Sequence, residues 1–451
     1  MLFSSFEFLF RFLPVFLVIY YFTPKKFRNV TLLGGSIVFY TIGEAGYITI
    51  LLACVLVNYT LTRLMYRKNT DGRGIRQKRL LLLALGYDLG VLFFFKYSGL
   101  ASGLPLGISF YTFQIMAYVI DVYRGRIPAE QSLLRLGTYL TMFPQLISGP
   151  ITNYADVRVA LGRERTIKAR QLEEGMKLLI IGLAAKVVIA DRIGTLWNSI
   201  RMIGFDSIST KLAWMGAFAY SLQLYFDFAG YSMMARGIGK MLGFELPVNF
   251  RYPYISKSVT EFWRRWHITL GRWFREYVYI PLGGNRKGKA RTFFNLFVVW
   301  SLTALWHGAN YNFLIWGGIL LCCLLAEKLF LLRLLDKSRV IGHLYVLFVV
   351  PLSWVAFAVT DLSELGVYMT RLFPFAGHAA GVINHLDYLK YLNDYAPLFL
   401  LGVLFATPLP ETCYRLIERK WIGRVILLGI FGLCMYYLAV SANNPFLYFN
   451  F

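Results

Sequence analysis

Residues 293–325 read FFNLFVVWSLTALWHGANYNFLIWGGILLCCLL, two strongly apolar runs interrupted by Trp306-His307-Gly308-Ala309-Asn310. An ionisable side chain between such runs is costly in lipid unless it lines a cavity filled by water or substrate. A neutral imidazole can also take a proton from a hydroxyl group that attacks an acyl carbonyl. The stretch therefore predicts membrane helices around a polar site with His307 as its candidate catalytic group; a structural histidine is the alternative.

The composition of the whole chain agrees with a membrane protein. Of 451 residues, 57% are hydrophobic, 17% aromatic and 16% charged, with a mean hydropathy of +0.54. This is more apolar and less charged than a typical soluble domain. The net charge of the chain is +23. In a chain this apolar, an excess of basic residues is typical of cytoplasmic loops that face anionic lipid, so we predict no nucleic-acid binding.

Apolar runs that are candidate membrane spans recur along the chain. They cover residues 6–22, 30–42, 47–65, 80–95, 106–122, 133–151, 176–190, 212–234, 292–306, 312–331, 340–359, 397–408 and 425–440. Nothing in the pattern marks a linker, so we expect a single membrane domain over residues 1–451.

Basic clusters between these runs set the expected topology. They lie at residues 25–28, 67–79, 158–170, 251–291, 333–339 and 415–424, and the positive-inside rule makes them cytoplasmic. Consecutive cytoplasmic clusters require an even number of crossings, which gives about ten to twelve crossings with both termini extracytoplasmic. Three runs fall between Arg79 and Arg158, and 106–122, with Pro105 and Gly107 at its start, is the expected re-entrant segment.

Residues 261–279 read EFWRRWHITLGRWFREYVY and predict one amphipathic helix. On a helical wheel the aromatic residues, with Leu270, fall in a sector of roughly 120° and four arginines in a separate sector of roughly 100°. Those arginines are Arg264, Arg265, Arg272 and Arg275. Such a helix lies in the cytoplasmic interface, where the arginines meet lipid headgroups alone or an anionic ligand. His267 lies at the edge of the aromatic face.

Other polar residues suggest a phosphate site and buried ion pairs. Pro281-Leu-Gly-Gly-Asn285 precedes Arg286, Lys287, Lys289 and Arg291, a turn whose amides and cations could hold phosphates. Asp227, with Arg236 nearby, most simply forms a structural pair, as do Lys186 with Asp191 and Asp121 with Arg124. No serine-nucleophile, dinucleotide or paired metal-histidine motif is present, so we predict no bound cofactor or metal.

The motifs together resemble those of the membrane-bound O-acyltransferase family, in its alginate-type branch that O-acetylates exported bacterial polysaccharides. The main motifs are NFRYPYIS at 249–256, EFWRRWH at 261–267, YIPLGGNR at 279–286 and WHGAN at 306–310. Supporting stretches are MLFSS at 1–5, GISFYTFQ at 107–114, FPQLISGP at 143–150, YFDFAGY at 225–231 and NPFLYFNF at 444–451. One departure is Tyr231-Ser232-Met233 where the branch has an acid in third place.

The resemblance implies an all-α integral membrane protein with about eleven transmembrane helices, plus re-entrant and interfacial helices, around a central tunnel. It implies His307 as the essential histidine and His267 as the second one, with Trp306, Asn310, Asp227, Gln223 and Tyr111 lining the tunnel. Coenzyme A phosphates would meet Arg264, Arg265, Arg272, Asn285 and Arg286.

The same resemblance implies the partners and the reaction. Acetyl-coenzyme A would be the cytoplasmic donor, and the acetyl group would cross a bacterial cytoplasmic membrane to a polysaccharide. An extracytoplasmic hydrolase-fold acetyltransferase would complete the transfer. Two other functions remain open, a transporter or flippase and a non-catalytic scaffold in exopolysaccharide assembly; the absence of an internal repeat argues against a transporter.

Overall fold

A computed structural model describes residues 1–66, 74–100, 103–376 and 383–440, and every regular element in these ranges is a helix. Helices satisfy their own backbone hydrogen bonds, which lipid cannot do for an isolated strand. The all-α prediction is confirmed for the described part of the chain. The C-terminal motif at 444–451, His378 and Arg67, Lys68 and Arg73 lie outside the described residues.

The chain forms two compact units. The N-terminal unit comprises Met1–Gly182, Tyr231–Val248 and Arg275–Tyr277, and the C-terminal unit comprises Leu183–Gly230, Asn249–Phe274 and the chain from Val278 onward. The first helices in sequence are α1 (Leu13–Phe22), α2 (Arg28–Glu44), α3 (Ile48–Met65), α4 (Ile75–Tyr97), α5 (Ile108–Tyr123), α6 (Leu133–Thr141), α7 (Phe143–Leu146), α8 (Tyr154–Gly162) and α9 (Ala169–Ala184).

The remaining α-helices follow in the same numbering. They are α10 (Asp191–Ile203), α11 (Thr210–Met241), α12 (Val259–Arg265), α13 (Ile268–Phe274), α14 (Gly288–His307), α15 (Tyr311–Ala326), α16 (Leu332–Leu335), α17 (Arg339–Ala358), α18 (Leu362–Leu372), α19 (Asp387–Phe405), α20 (Leu409–Arg415) and α21 (Trp421–Val440). Short π-helical turns occupy Glu7–Phe12, Ala185–Ala190, Arg275–Tyr279 and Glu327–Leu331.

Five helical stretches in the described residues are long and apolar enough to cross a membrane, or six if the bent pair α19–α20 is counted as one span. The five are Lys25–Met65, Ile75–Tyr97, Tyr311–Leu335, Arg339–Ala358 and Trp421–Val440. The chain is therefore a multi-pass membrane protein, and the count of eleven crossings stays a prediction. The 32-residue helix α11 is not among these five, and it carries the charged residues Asp227 and Arg236.

Two predicted runs have a different form in the structure. The run at 133–151 is not one helix, because α6 ends at Thr141 and only the short α7, with Pro144 in its first turn, follows. The run at 6–22 is divided into a π-helical turn and a ten-residue α1. Residues 106–122, the expected re-entrant segment, largely coincide with the continuous helix α5 of 16 residues, and the break in this part of the chain lies in 133–151 instead.

Gly107 allows α5 to begin where it does. Its φ is +75°, and a Cβ at this position would lie 2.2 Å from the carbonyl oxygen of Leu146. Only glycine combines the left-handed conformation with so close an approach of two backbones. Asp121, near the end of α5, pairs with Arg126 at 3.2 Å and accepts a hydrogen bond from Tyr277. The predicted partner Arg124 instead donates to the Glu276 carbonyl oxygen.

Candidate active site

His307 is the last residue of α14 and lies in an aromatic box within the C-terminal unit. Its side chain is buried, and its ring centroid lies 4.8 Å from that of Trp306 and 5.0 Å from those of Trp316 and Phe357. Phe313 adds a fourth ring at 6.1 Å. Aromatic walls of this kind keep bulk water away from an imidazole and strengthen its electrostatic interactions with a bound group.

The chain reverses directly after His307, and this turn fixes the box. Gly308 packs so closely under Phe313 that an added Cβ would lie 2.5 Å from its ring. Asn312 then donates from Nδ2 to the carbonyl oxygens of Ala356 and Phe357, at 3.2 and 2.9 Å. These bonds tie the start of α15 to the end of α17. Asn310, which the resemblance places in the tunnel lining, is the exposed N-cap of α15.

Trp316, one wall of the box, belongs to a cluster of five tryptophans. Trp263 lies 5.0 Å from Trp300 and 5.8 Å from Trp316, and Trp354 lies 4.9 Å from Trp266 and 5.9 Å from Trp316, between ring centroids. These residues come from α12, α14, α15 and α17, and from the residue after α12. Large apolar contacts of this kind dominate core stability, so the tryptophan cluster stabilises the part of the core against which His307 packs.

The predicted amphipathic helix at 261–279 is wrong in one respect, because it breaks at Trp266-His267 into α12 and α13. His267 has φ +43°, a conformation that L-residues rarely adopt. Pairing with residues 249–251 imposes the break: the Arg251 amide donates to Arg265 and the Ile268 amide donates to Asn249, at 3.0 and 2.9 Å. The predicted segregation of faces survives, since Phe262, Trp266 and Trp273 are buried while Arg264 is exposed.

His267 is buried and held by an amide. Its Nδ1 lies 3.1 Å from Oδ1 of Asn249, which also accepts from the backbone N–H and the hydroxyl of Thr269. Because that oxygen can only accept, Nδ1 of His267 carries the hydrogen and Nε2 is the basic nitrogen. Burial lowers the pKa of His267 to about 3, so the imidazole is neutral near pH 7.

Trp306 brings the two histidine motifs together. Its ring centroid lies 6.3 Å from that of His267 and 4.8 Å from that of His307. On the other side of His267, Phe228 of α11 meets the imidazole edge to face at 4.8 Å. Three of the predicted site residues, His267, Trp306 and His307, therefore lie in one aromatic region, which we call the histidine region.

Asp227 and Gln223 lie in a separate ionic region of the C-terminal unit. Lys186 Nζ lies 2.9 Å from Oδ1 of Asp227 and 2.5 Å from Oδ1 of Asp191. The pairing of Lys186 with Asp191 is confirmed, and Asp227 joins it although Arg236 is nearer in sequence. Gln223 packs against Gly194 of α10, where an added Cβ would lie 2.3 Å from its Nε2. We call Lys186, Asp191 and Asp227 the ionic triad.

Tyr111 belongs to the N-terminal unit and is buried in α5. The predicted phosphate-binding residues differ in exposure. Arg264, Asn285 and Arg286 are exposed, whereas Arg265 and Arg272 are partly buried. Arg265 also donates to Glu261 at 2.8 and 3.0 Å, which offsets part of its charge. The turn itself has two glycines with positive φ, Gly283 and Gly284.

Sequence reasoning missed the residues that orient the histidines. Asn249 stands in a quoted motif without a predicted role, and Asn312 lies two residues after the WHGAN motif. A lone amide beside an apolar run is the signal that could have identified Asn312. Glu327 was also missed, although it is a single acid in the run at 312–331. Its carboxylate accepts from the amides of Val259 and Thr260, at 2.6 and 2.9 Å, at the start of α12.

Comparisons with known proteins agree with this architecture. Residues 126–340 match the model of the membrane-bound O-acyltransferase family. The protein named "probable alginate O-acetylase AlgI" of Pseudomonas putida is 35% identical over all of both chains. The peptidoglycan O-acetyltransferase of Helicobacter pylori is 30% identical over all of this chain and 98% of its own.

A more distant similarity covers about half of the chain. The teichoic acid D-alanyltransferase of Bacillus subtilis is 32% identical over 48% of this chain and 58% of its own. The similarity to alginate and peptidoglycan acetyltransferases, in contrast, runs from end to end. With helices apolar enough to cross a membrane and a family match across its centre, this chain belongs to the membrane-bound O-acyltransferase family and is an acyltransferase.

Proposed function

We propose that this acyltransferase moves an acetyl group from cytoplasmic acetyl-coenzyme A across the membrane for O-acetylation of an exported or cell-wall polysaccharide. The observation that carries the proposal is the placement of His307 at a helix end inside an aromatic box, beside Trp306 and within the same region as His267. The similarity to alginate and peptidoglycan acetyltransferases supports acetyl as the acyl group.

In this proposal His307 acts as the general base. Its neutral imidazole takes the proton from the acceptor hydroxyl while the hydroxyl oxygen bonds to the acyl carbonyl carbon. The carbon–sulfur bond of the thioester then breaks, the protonated His307 gives its proton to the sulfur, and coenzyme A leaves as the thiol. A general base of this kind contributes about 10²–10⁴-fold to the rate.

His267 and the basic residues have positioning roles in this proposal. His267 is neutral and oriented by Asn249, so it lines the cytoplasmic approach without adding a charge. Arg264, Arg265, Arg272, Asn285 and Arg286 would meet the coenzyme A phosphates, and Trp306, Gln223 and Asn310 would line the acyl path. Asp227, paired with Lys186, would line it only as a structural group, and the tunnel-lining role of Tyr111 stays a prediction from the sequence. Met233 stands where the resemblance leads us to expect an acid, so no carboxylate chemistry is proposed there.

The membrane setting follows from the basic clusters and the resemblance. We propose one membrane domain in the bacterial cytoplasmic membrane with both termini extracytoplasmic, about eleven crossings and a central tunnel. A hydrolase-fold acetyltransferase on the outer side would receive the acetyl group and pass it to the polysaccharide.

The proposal is tested by acyl-coenzyme A turnover in proteoliposomes that contain the full chain. We expect release of free coenzyme A when acetyl-coenzyme A and an extracytoplasmic partner with its glycan are supplied, and a loss of about 10²–10⁴-fold in His307→Ala. His343→Ala is the matched control, since His343 is another partly buried histidine of the C-terminal unit, bonded to the Ser256 carbonyl oxygen.

Two outcomes would redirect the proposal. Turnover of a D-alanyl donor in place of acetyl-coenzyme A would assign the chemistry of the Bacillus subtilis relative. Folded protein that releases no coenzyme A with any donor and acceptor would favour the transporter or scaffold instead.

A further inference from the structure

Two buried arginines lie close together in the N-terminal unit, far in sequence from the histidine region. Arg28 is the first residue of α2, and Arg165 lies in the loop that joins α8 to α9. Their fractional exposures are 8% and 7%. Arginine is rarely this buried unless its charge is paired. We call Arg28 and Arg165 the arginine pair.

Among the described residues, the hydrogen-bond partners of the pair are neutral groups. Arg28 donates from Nη1 to the carbonyl oxygen of Arg165 at 2.6 Å. Arg165 donates from Nη1 to Asn29 Oδ1 and the Ala160 carbonyl oxygen, at 2.8 and 2.9 Å, and from Nε to the Tyr20 hydroxyl at 3.0 Å. These bonds fix both guanidinium groups in place but leave both charges uncompensated.

Aromatic rings complete the enclosure without adding negative charge. The guanidinium carbons of Arg28 and Arg165 lie 5.3 and 6.0 Å from the centroid of Tyr20, and that of Arg165 lies 4.6 Å from Phe244. The Tyr20 hydroxyl is itself committed to the Leu242 carbonyl oxygen at 2.8 Å. Tyr20 therefore lies within cation–π range of two like charges.

Within the described residues, no carboxylate lies within 4.0 Å of either guanidinium. Two guanidinium nitrogens, Nε of Arg28 and Nη2 of Arg165, are buried and have no hydrogen-bond acceptor. Buried donors without acceptors and buried charges without counter-charges are both expensive. An anion with several acceptor oxygens would satisfy both the free donors and the two charges.

The surroundings favour a phosphate. Arg28 begins α2, a helix of 17 residues without a side-chain cap, whose positive end attracts anions. Exposed cations flank the pair in sequence, namely Lys25, Lys26, Arg163 and Lys168. The sequence predicts that these residues face the cytoplasm, where anionic lipid headgroups and soluble phosphates are both available.

We propose that Arg28 and Arg165 form a phosphate-binding site of the N-terminal unit, with Tyr20 and Asn29 as the groups that position the two guanidiniums. The site is independent of the arginines assigned above to coenzyme A, which lie between Arg264 and Arg286. Its ligand is a phosphate group, carried by an anionic lipid headgroup of the inner leaflet or by a soluble phosphate compound.

The test uses the full chain in lipid nanodiscs and measures the midpoint of thermal unfolding. One set of discs contains phosphatidylcholine alone, a second adds phosphatidylglycerol, and a third is phosphatidylcholine with inorganic phosphate in solution. We expect a rise of several degrees in one of the phosphate arms, because a ligand that binds only the folded state stabilises it. The arm that responds identifies the source of the phosphate.

Variants separate the site from general attraction to anionic lipid. Arg28→Gln and Arg165→Gln should each lose the rise, whereas Lys26→Gln should keep it, since Lys26 is an exposed neighbour with the same charge. A rise that survives in both arginine variants would overturn the proposal.

Native mass spectrometry of the wild type decides the matter even if the arginine variants do not fold. A phosphatidylglycerol molecule or a phosphate ion retained on the chain, in preference to phosphatidylcholine, supports the site. A wild type that retains neither, and whose midpoint is the same in all discs, would mean that the arginine pair is only a structural clamp.

Discussion

The histidine region and the ionic triad are both buried in the C-terminal unit, but they bury titratable groups in opposite ways. His307 is surrounded by the rings of Trp306, Trp316 and Phe357. Lys186 is instead surrounded by the carboxylates of Asp191 and Asp227. Burial alone therefore does not identify a catalytic residue. Charges that neutralise one another stabilise a fold, whereas an imidazole in an aromatic box has the place that our proposal requires of a general base.

The largest stability effect should come from the ionic triad. Lys186→Met leaves two buried carboxylates without their cation, and breaking a buried pair in this way costs about 3–5 kcal/mol. The free energy of unfolding measures this loss, and Lys186→Met combined with Asp227→Asn should recover part of it. If Lys186→Met unfolds like the wild type, the triad does not stabilise the fold.

The next effect sharpens the difference within the histidine region. Asn249→Ala removes the acceptor that orients His267 through Nδ1, and loss of a group that orients a metal-bound histidine typically costs about 10–100-fold; we expect the lower end here, about tenfold in turnover. Asn285→Ala, an exposed amide, is the control. Equal turnover in Asn249→Ala and the wild type would show that the orientation of His267 is immaterial.

The pH dependence of stability provides a third contrast. The pKa of His267 is lowered to about 3, below its ordinary value of about 6.5, so between these values the unfolded chain binds the proton and the folded chain does not. This contribution to stability is complete above about pH 6.5 and declines as the pH falls toward 3. Thermal unfolding of wild type and His267→Gln over this range should give a flatter profile for the variant, and parallel profiles would contradict the assignment.

The smallest effect is expected on the exposed basic face. Arg264 is exposed, and an exposed charge contributes about 0–1 kcal/mol, which is a factor of about five or less in affinity. Arg264→Gln should therefore raise the KM for acetyl-coenzyme A by a few fold and leave kcat unchanged. The control is Arg333→Gln, an exposed arginine of another basic cluster. Identical effects of the two substitutions would return Arg264 to membrane anchoring.

The contrast between the two regions also explains which features could be predicted from the sequence. Trp306-His307 stands between two apolar runs, so its place at a helix end could be predicted from local pattern alone. The break at His267 could not, because residues 249–251 impose it by hydrogen bonds across the fold. The amphipathic pattern of 261–265 and 268–274 favours a helix, and two short helices do form there.

Pairing between distant residues limited the prediction elsewhere. Lys186 and Asp227 are on different helical elements, and only their packing brings them to 2.9 Å. The arginine pair has the same origin, since Arg28 and Arg165 are far apart in sequence. Periodicity identifies which face of a helix is buried, but it carries no information on the partner that the face meets.

We propose that His307 performs the chemistry, whereas the ionic triad maintains the fold. The most direct test is acetyl transfer per folded molecule for His307→Ala and Lys186→Met, measured side by side in the same membranes. This proposal predicts that acetyl transfer per folded molecule falls about 10²–10⁴-fold in His307→Ala and is nearly that of the wild type in Lys186→Met. A wild-type value for folded His307→Ala would contradict it.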